Sequence, residues 1–437
     1  MAEQRPPIDA ALRSRRRLLI GAAIALSGMA IEAGTSVMRS AFGPLFGDST
    51  TTVAAAARRI GSVPKSRVAT SVIDVERLAP PGLPARKPQP ALAANIKPDL
   101  RTRIGQMLLV GFRATSVDAS TPIVHDITQQ ALGGVVLFDG RNITSPTQLA
   151  NLVTTLQAAS RSTPLGAPLL VAVDEEGGNV ARLNPRNGFP GTYSAATLGQ
   201  RNDVAFTQAQ ATAIAQTLAS VGINLNLAPV VDLNLNRANR AIGGNGRSFS
   251  GDAGIASAHA AAFIAGHNAV GVRTAIKHFP GQGSAGGDTH LGVVDVTPNW
   301  TEYELLPFKN LLAAGVVDAI MTGHIYNAGL DSVYPATLSH ATITGLLREQ
   351  LGYDGVVISD DLNMAAIKSA YRYEDALALA IGAGVDILTI ADQTGSGLVE
   401  RTIDIIAAHV KNGAISEARI DASYARISAL KARLLGA

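Results

Sequence analysis

The chain has 437 residues, no cysteine, 47% hydrophobic and 16% charged side chains. That apolar fraction builds a sizeable core and excludes disorder throughout, while the absence of thiols excludes disulfide staples, thiolate metal sites and cysteine nucleophiles. The net charge of +3 hides an asymmetry: residues 1–98 hold 14 Lys/Arg against 6 Asp/Glu, and residues 99–437 hold 23 against 28, so the basic excess belongs to a tail and no nucleic-acid partner is expected.

The N-terminus reads as a targeting segment. Arg15-Arg16-Arg17 precede an apolar run, Leu18 to Ile31, which Glu32 interrupts after 14 residues; a membrane-spanning helix needs about 20. A positive region followed by a short apolar one is the export pattern, and consecutive arginines suit the twin-arginine route. Residues 1–34 are therefore expected to direct export or to tether the chain to the membrane. Residues 35–98 are rich in Ala, Ser, Thr and Pro, with Pro80-Pro81-Gly82 breaking any periodicity, and read as a flexible linker.

From Leu100 onward short apolar runs alternate with amphipathic stretches. The runs are Met107–Gly111, Gly134–Phe138, Leu169–Val173, Ile223–Leu227, Arg273–Ile276, Ala319–Met321, Gly355–Ile358 and Asp386–Ile390. Between them, Pro146–Ser160, Asp203–Val221, Ala253–Val270, Leu305–Ala314 and Leu338–Gln350 have helical spacing. Eight strands alternating with helices make an α/β protein, and eight close a single (β/α)8 TIM barrel over residues 99–437. An open doubly wound sheet is the rival, but no Gly-x-Gly-x-x-Gly follows a strand.

In such a barrel chemistry sits at the carboxyl ends of the strands, and polar residues gather there repeatedly. Strand three runs into Asp174-Glu175-Glu176, strand four into Asn226 and Asp232, strand five into Lys277-His278, strand six into Thr322-Gly323-His324, and strand seven into Ser359-Asp360-Asp361. A lone Asp at a strand end is ordinarily a helix cap; five such ends facing one mouth outline a pocket. The stretch Lys277–Gly292 holds five glycines, carries Asp288-Thr289-His290 near its far end, and reads as a mobile loop over that mouth. An Asp bonded to a His sets the imidazole tautomer and raises its basicity, as a general acid/base requires. Asp360 follows a buried run, and a carboxylate there can attack an electrophilic carbon; either Asp360 or Asp361 can cap the next helix while the other reacts. A His/carboxylate metal site is the competing chemistry, disfavoured by Lys277, Arg182 and Arg247 in the same region.

Seven motifs in order resemble the bacterial β-N-acetylhexosaminidases of glycoside hydrolase family 3. They are Val173–Gly178, Leu227–Asp232, Gly246–Ser250, Lys277–Gly281, Asp288–His290, Met321–His324 and Ser359–Met364. The resemblance covers about Leu100 to Leu435 and the family's single-domain form. It implies Asp360 as nucleophile, His290 as general acid/base with Asp288 as its partner, and Asp174, Arg182, Arg247, Lys277 and His278 as substrate-binding residues. It implies no metal and no cofactor, a carbohydrate substrate, a monomer, and a retaining exo-β-N-acetylglucosaminidase. Pairing a carboxylate with a histidine departs from the two carboxylates usual in glycosidases, and phosphate could replace water beside such an acid/base. Gln282 and Asn179 depart from residues common in relatives. The basic tail adds an expectation of extracytoplasmic action on peptidoglycan fragments. The alternatives are a β-glucosidase-type β-glycosidase and a non-catalytic cell-wall sugar-binding barrel.

Overall fold

A computed structural model describes residues 97–391 and 397–435. The export segment, and the linker up to residue 96, lie outside the described residues. Helix Leu100–Gln106 opens the domain, with Asp99 as its cap accepting the Thr102 N–H at 2.7 Å. Lys97, ahead of the expected boundary, already pairs with Asp421 at 2.6 Å.

Eight parallel strands follow: β1 (Leu108–Gly111), β2 (Gly134–Leu137), β3 (Leu170–Val173), β4 (Leu225–Asn226), β5 (Arg273–Phe279), β6 (Ala319–Thr322), β7 (Val356–Ile358) and β8 (Leu388–Ile390). Their hydrogen-bonded order is β7-β6-β5-β4-β3-β2-β1-β8. The two ends of that order meet through a bridge from Ile358 to Ile387 and the bond from Ser359 N–H to the Ile387 carbonyl at 2.9 Å, so the sheet nearly closes into a barrel. Every residue of these eight strands except Arg273 is buried. Burial on both faces makes parallel strands read as unbroken apolar runs, which is why all eight were legible.

One strand outruns its apolar stretch. β5 continues past Ile276 through Lys277, His278 and Phe279, pairing Phe279 with Thr322 across a register shift. Lys277 and His278 therefore lie on the strand itself, where the sequence placed them just beyond it. Phe279 anchors the extension, edge-on to Phe308 with ring centroids 5.2 Å apart.

The helices begin with caps of the expected kind: Ser145 before Pro146–Arg161, Asp203 before Val204–Ser220 and Asp252 before Ala253–Asn268. The helix expected over Leu338–Gln350 divides into a turn, Ala336–Leu338, and a separate helical segment, Ala341–Gln350. The last helix, Glu417–Leu435, locks the amino-terminal ends of the strands. Its Arg419 and Ser423 reach the fully buried Asp386 ahead of β8 at 2.8 and 2.9 Å, and Arg433 reaches Asp318 ahead of β6 at 2.6 Å. That end of the barrel is built for stability, which leaves the opposite end for chemistry.

Candidate active site

Asp203 and Asp252 cap helices, but Asp174, Asp232 and Asp360 at the carboxyl ends of the strands do not. Asp174 accepts from Lys277 Nζ at 2.5 Å, and the same ammonium lies 2.7 Å from Glu176 Oε1. Glu176 in turn receives Arg247 through two bonds, Nε to Oε2 at 2.7 Å and Nη2 to Oε1 at 2.8 Å, the fork geometry that suits a guanidinium. Arg247 is steadied further by the Ala241 carbonyl at 2.8 Å. Burial opposes ionisation of Glu176, yet Arg247 and Lys277 outweigh it and hold the carboxyl far below the usual range. Burial likewise opposes the charge on Lys277, and Asp174 and Glu176 keep it cationic. Two cations and two carboxylates thus form a fixed, hydrogen-bonding floor.

His278 sits beside this floor. Its Nδ1 bonds Asp232 Oδ2 at 2.6 Å, and Arg247 Nη2 donates toward its Nε2 at 3.4 Å. An arginine has no acceptor, so Nε2 carries the lone pair and Nδ1 the proton.

At the end of β7 the chain alternates. Ser359 Oγ accepts from Thr389 N–H at 2.9 Å, and Asp361 Oδ1 accepts from Ala391 N–H and Asn363 N–H, both at 3.0 Å. Both side chains are thereby committed to β8 and the following turn, and Asp360 between them is directed the other way. Neither aspartate caps the next helix, which starts at Ala365 behind Met364; the turn ahead of it takes Asp361. One oxygen of Asp360 accepts the Asp361 N–H at 2.8 Å. Burial would raise its pKa, but the positive charge that His324 and His278 take up when protonated, and that N–H, hold it below the ordinary carboxylate range, with His290 contributing. Asp360 is therefore an anion at neutral pH. His324 is fully buried, and burial keeps it neutral; its Nε2 donates to the Asp361 carbonyl at 2.9 Å and its Nδ1 faces Thr337 Oγ1 at 2.8 Å.

Asp288 and His290 form the pair their spacing implied. His290 Nδ1 and its backbone N–H both bond Asp288 Oδ1, at 2.7 and 2.9 Å. Burial opposes the charge of Asp288, but those two donors hold its pKa down. The His290 side chain is 64% exposed, open to a group arriving from solvent. The loop that carries it has two parts. Residues 281–285 are buried, whereas Gly286, Gly287, His290 and Leu291 are exposed. The first glycines serve close packing: a Cβ at Gly283 would lie 1.8 Å from the Leu233 carbonyl oxygen, and Gly281 has φ +114° with Glu304 Cβ 2.6 Å from where a Cβ would stand.

Arg182 stands apart from this network. Its guanidinium lies 3.7 Å from Asp139, at the end of β2, and over the Phe138 ring. Asn226 clamps the backbone of Glu175, taking its N–H at 3.0 Å and donating to its carbonyl at 2.9 Å. Sequence reasoning missed two residues that organise the site. Glu176 bridges Lys277 and Arg247, and its position in Val173–Gly178 was the only signal. Glu304, whose Oε2 accepts from Gly283 and Ser284 N–H at 2.7 and 3.3 Å, lies in a turn with no motif to mark it.

The signature described as "Glycosyl hydrolase family 3 N terminal domain" matches residues 99–430. The chain is 32% identical over 379 residues to Beta-hexosaminidase A of Pseudoalteromonas piscicida, covering 79% of this chain and 63% of that protein. Among solved structures it is similar to a glycoside hydrolase family 3 beta-N-acetylglucosaminidase from Paenibacillus sp. (TM-score 0.72, 36% identity, 78% of this chain and 63% of that one). It is also similar to a beta-N-acetylhexosaminidase from Beutenbergia cavernae (TM-score 0.70, 35% identity, 77% of this chain and 100% of that one). The chain thus spans less than two thirds of the Pseudoalteromonas and Paenibacillus proteins. Seven ordered motifs, the barrel they build and the signature that covers it lead to one assignment: this chain belongs to glycosyl hydrolase family 3, through the N-terminal domain of that family.

Proposed function

We propose that the chain is a retaining exo-β-N-acetylglucosaminidase that hydrolyses β-linked N-acetylglucosamine glycosides, peptidoglycan fragments among them, outside the cytoplasm. The hydrogen-bonded Asp288–His290 pair carries this reading, on a loop tied to the segment that follows Asp360 by the Ala366 N–H on the Thr289 carbonyl at 3.2 Å. The names of the Pseudoalteromonas, Paenibacillus and Beutenbergia proteins support the substrate class; the basic residues ahead of Leu18 support export.

In the first step a carboxylate oxygen of Asp360 attacks the anomeric carbon, while protonated His290 gives its Nε2 proton to the departing oxygen. Asp288 holds Nδ1–H and stabilises the imidazolium before transfer. In the second step neutral His290 takes a proton from water, whose oxygen attacks the anomeric carbon and expels Asp360. Two inversions give net retention. Lys277, Asp174, His278 and Arg247 supply donors and acceptors at fixed positions for sugar hydroxyls and the acetamido group, with Arg182 at the rim.

The test is release of p-nitrophenol by the full chain from its β-N-acetylglucosaminide and β-glucoside, beside Asp360→Ala and His290→Ala. The reading expects preference for the acetamido sugar, no turnover by the Asp360 variant and a loss of about 10²–10⁴ in the His290 variant. Equal or preferred glucoside turnover moves the chain to the β-glucosidases. Folded protein inert toward both would mark a sugar-binding barrel.

A further inference from the structure

We infer that Asp232 is a positioning residue: one buried carboxylate orients the sugar-facing His278 and at the same time pins the root of the loop that carries His290. The inference deepens the function proposed above and rests on it. Asp232 lies beyond β4, is 1% exposed, and neither caps a helix nor faces solvent. Its Oδ2 takes the Nδ1 proton of His278 at 2.6 Å, and its Oδ1 takes the backbone N–H of His278 at 3.2 Å and of Gln282 at 2.8 Å. Charge-assisted bonds of this kind are the strong ones, and three of them fill most of what a carboxylate accepts.

Two consequences follow from one side chain. On the sugar side, the bond to Nδ1 selects the tautomer and leaves the Nε2 lone pair beside Arg247, as an acceptor for a sugar hydroxyl. On the loop side, the bonds to residues 278 and 282 close a turn that also contains the Gly281 N–H to His278 carbonyl bond at 2.8 Å. From that turn the chain runs through residues held by other partners, Glu304 on Gly283 and Ser284 and Asn236 on the Ala285 carbonyl at 3.0 Å, to Asp288 and His290. Glu304 therefore fixes the loop without touching His278, whereas Asp232 holds both.

The test compares Asp232→Asn with Glu304→Gln in the full chain. An asparagine keeps the shape, but its amide nitrogen faces N–H donors that it cannot accept. For p-nitrophenyl β-N-acetylglucosaminide, Asp232→Asn is expected to raise KM and lower kcat, with kcat/KM falling about a hundredfold, the scale of misplaced reacting groups. Glu304→Gln is expected to lower kcat with KM unchanged. Nitrogen-15 NMR of histidine-labelled protein adds a readout that general destabilisation would not move. His278 should carry its proton on Nδ1 in the parent protein and shift toward Nε2–H in the Asp232 variant. Near-parent kinetics in Asp232→Asn, or the same kcat-only loss as Glu304→Gln, overturns the inference. Should the variant fail to fold, an Nε2–H tautomer of His278 in the parent protein overturns it too. A parent protein inert toward the acetamido glycoside would refute the proposed function, and the tautomer measurement would still decide the role of Asp232.

Discussion

Glu175 is a buried carboxyl that the proposed chemistry does not use, and it places a measurable load on the fold. It is 2% exposed; Oε2 accepts the Leu183 N–H at 2.8 Å, and Oε1 has no hydrogen-bond partner among the described residues. Burial, aided by the neighbouring Asp174 charge, pushes its pKa from 4.5 up to about 8. The folded protein therefore holds a proton that the unfolded chain has released. For an acid raised in this way stability is greatest below about pH 4.5 and declines as pH rises toward about 8, because the native state binds more protons over that window. At about 1.4 kcal/mol per pH unit, proton uptake costs roughly 3 kcal/mol at pH 7. Glu175→Gln supplies a neutral side chain of the same shape that still accepts from Leu183. Urea unfolding, followed through the single tryptophan, Trp300, should show the variant close to the parent at pH 4.5 and about 1–3 kcal/mol more stable at pH 7. A difference independent of pH, or a variant less stable at pH 7, would refute the reasoning.

Two further outcomes follow from other buried charges. Lys431 is buried with one hydrogen-bond partner among the described residues, Gln106 Oε1 at 2.7 Å, and burial pushes its pKa down from 10.5 to about 7. A depressed base costs the fold stability as pH falls from 10.5 toward 7, so Lys431→Met should stabilise by about 2–4 kcal/mol at pH 7 and by progressively less toward pH 10; thermal melts across that range check it. Asp386 gathers Arg348 at 2.7 Å, Arg419 and Ser423 while fully buried. Asp386→Ala should cost about 3–5 kcal/mol, since it strands the half-buried guanidinium groups and the buried Val357 N–H that the same carboxylate accepts at 3.0 Å, and a loss under about 1 kcal/mol in urea unfolding would contradict that role.

What was legible in the sequence, and what was not, divides along physical lines. The eight strands showed because burial on both faces demands continuous apolar residues, which a linear scan detects. The end of β5 did not, because Lys277 and His278 are buried by pairing with Asp174, Glu176 and Asp232, all remote in sequence. For the same reason Glu304 gave no sign: it lies beyond the loop whose N–H groups it accepts. The loop glycines showed a different limit. Composition reads glycine as slack, yet Gly283 is there because the Leu233 carbonyl leaves no space for a side chain. The Asp288–His290 bond was legible because two residues suffice to make it. Choosing between Asp360 and Asp361 needed the residue that follows β8, Ala391, whose N–H claims the second of them.

The most direct test of the central claim is to trap the covalent intermediate. The 437-residue chain incubated with a 5-fluoro-N-acetylglucosaminyl fluoride should gain one glycosyl unit by intact mass, and peptide mapping should place it on Asp360. Asp360→Asn should take up none. A label on Glu175 or Glu176, or no label from an enzyme that turns over p-nitrophenyl β-N-acetylglucosaminide with inversion, would contradict the account.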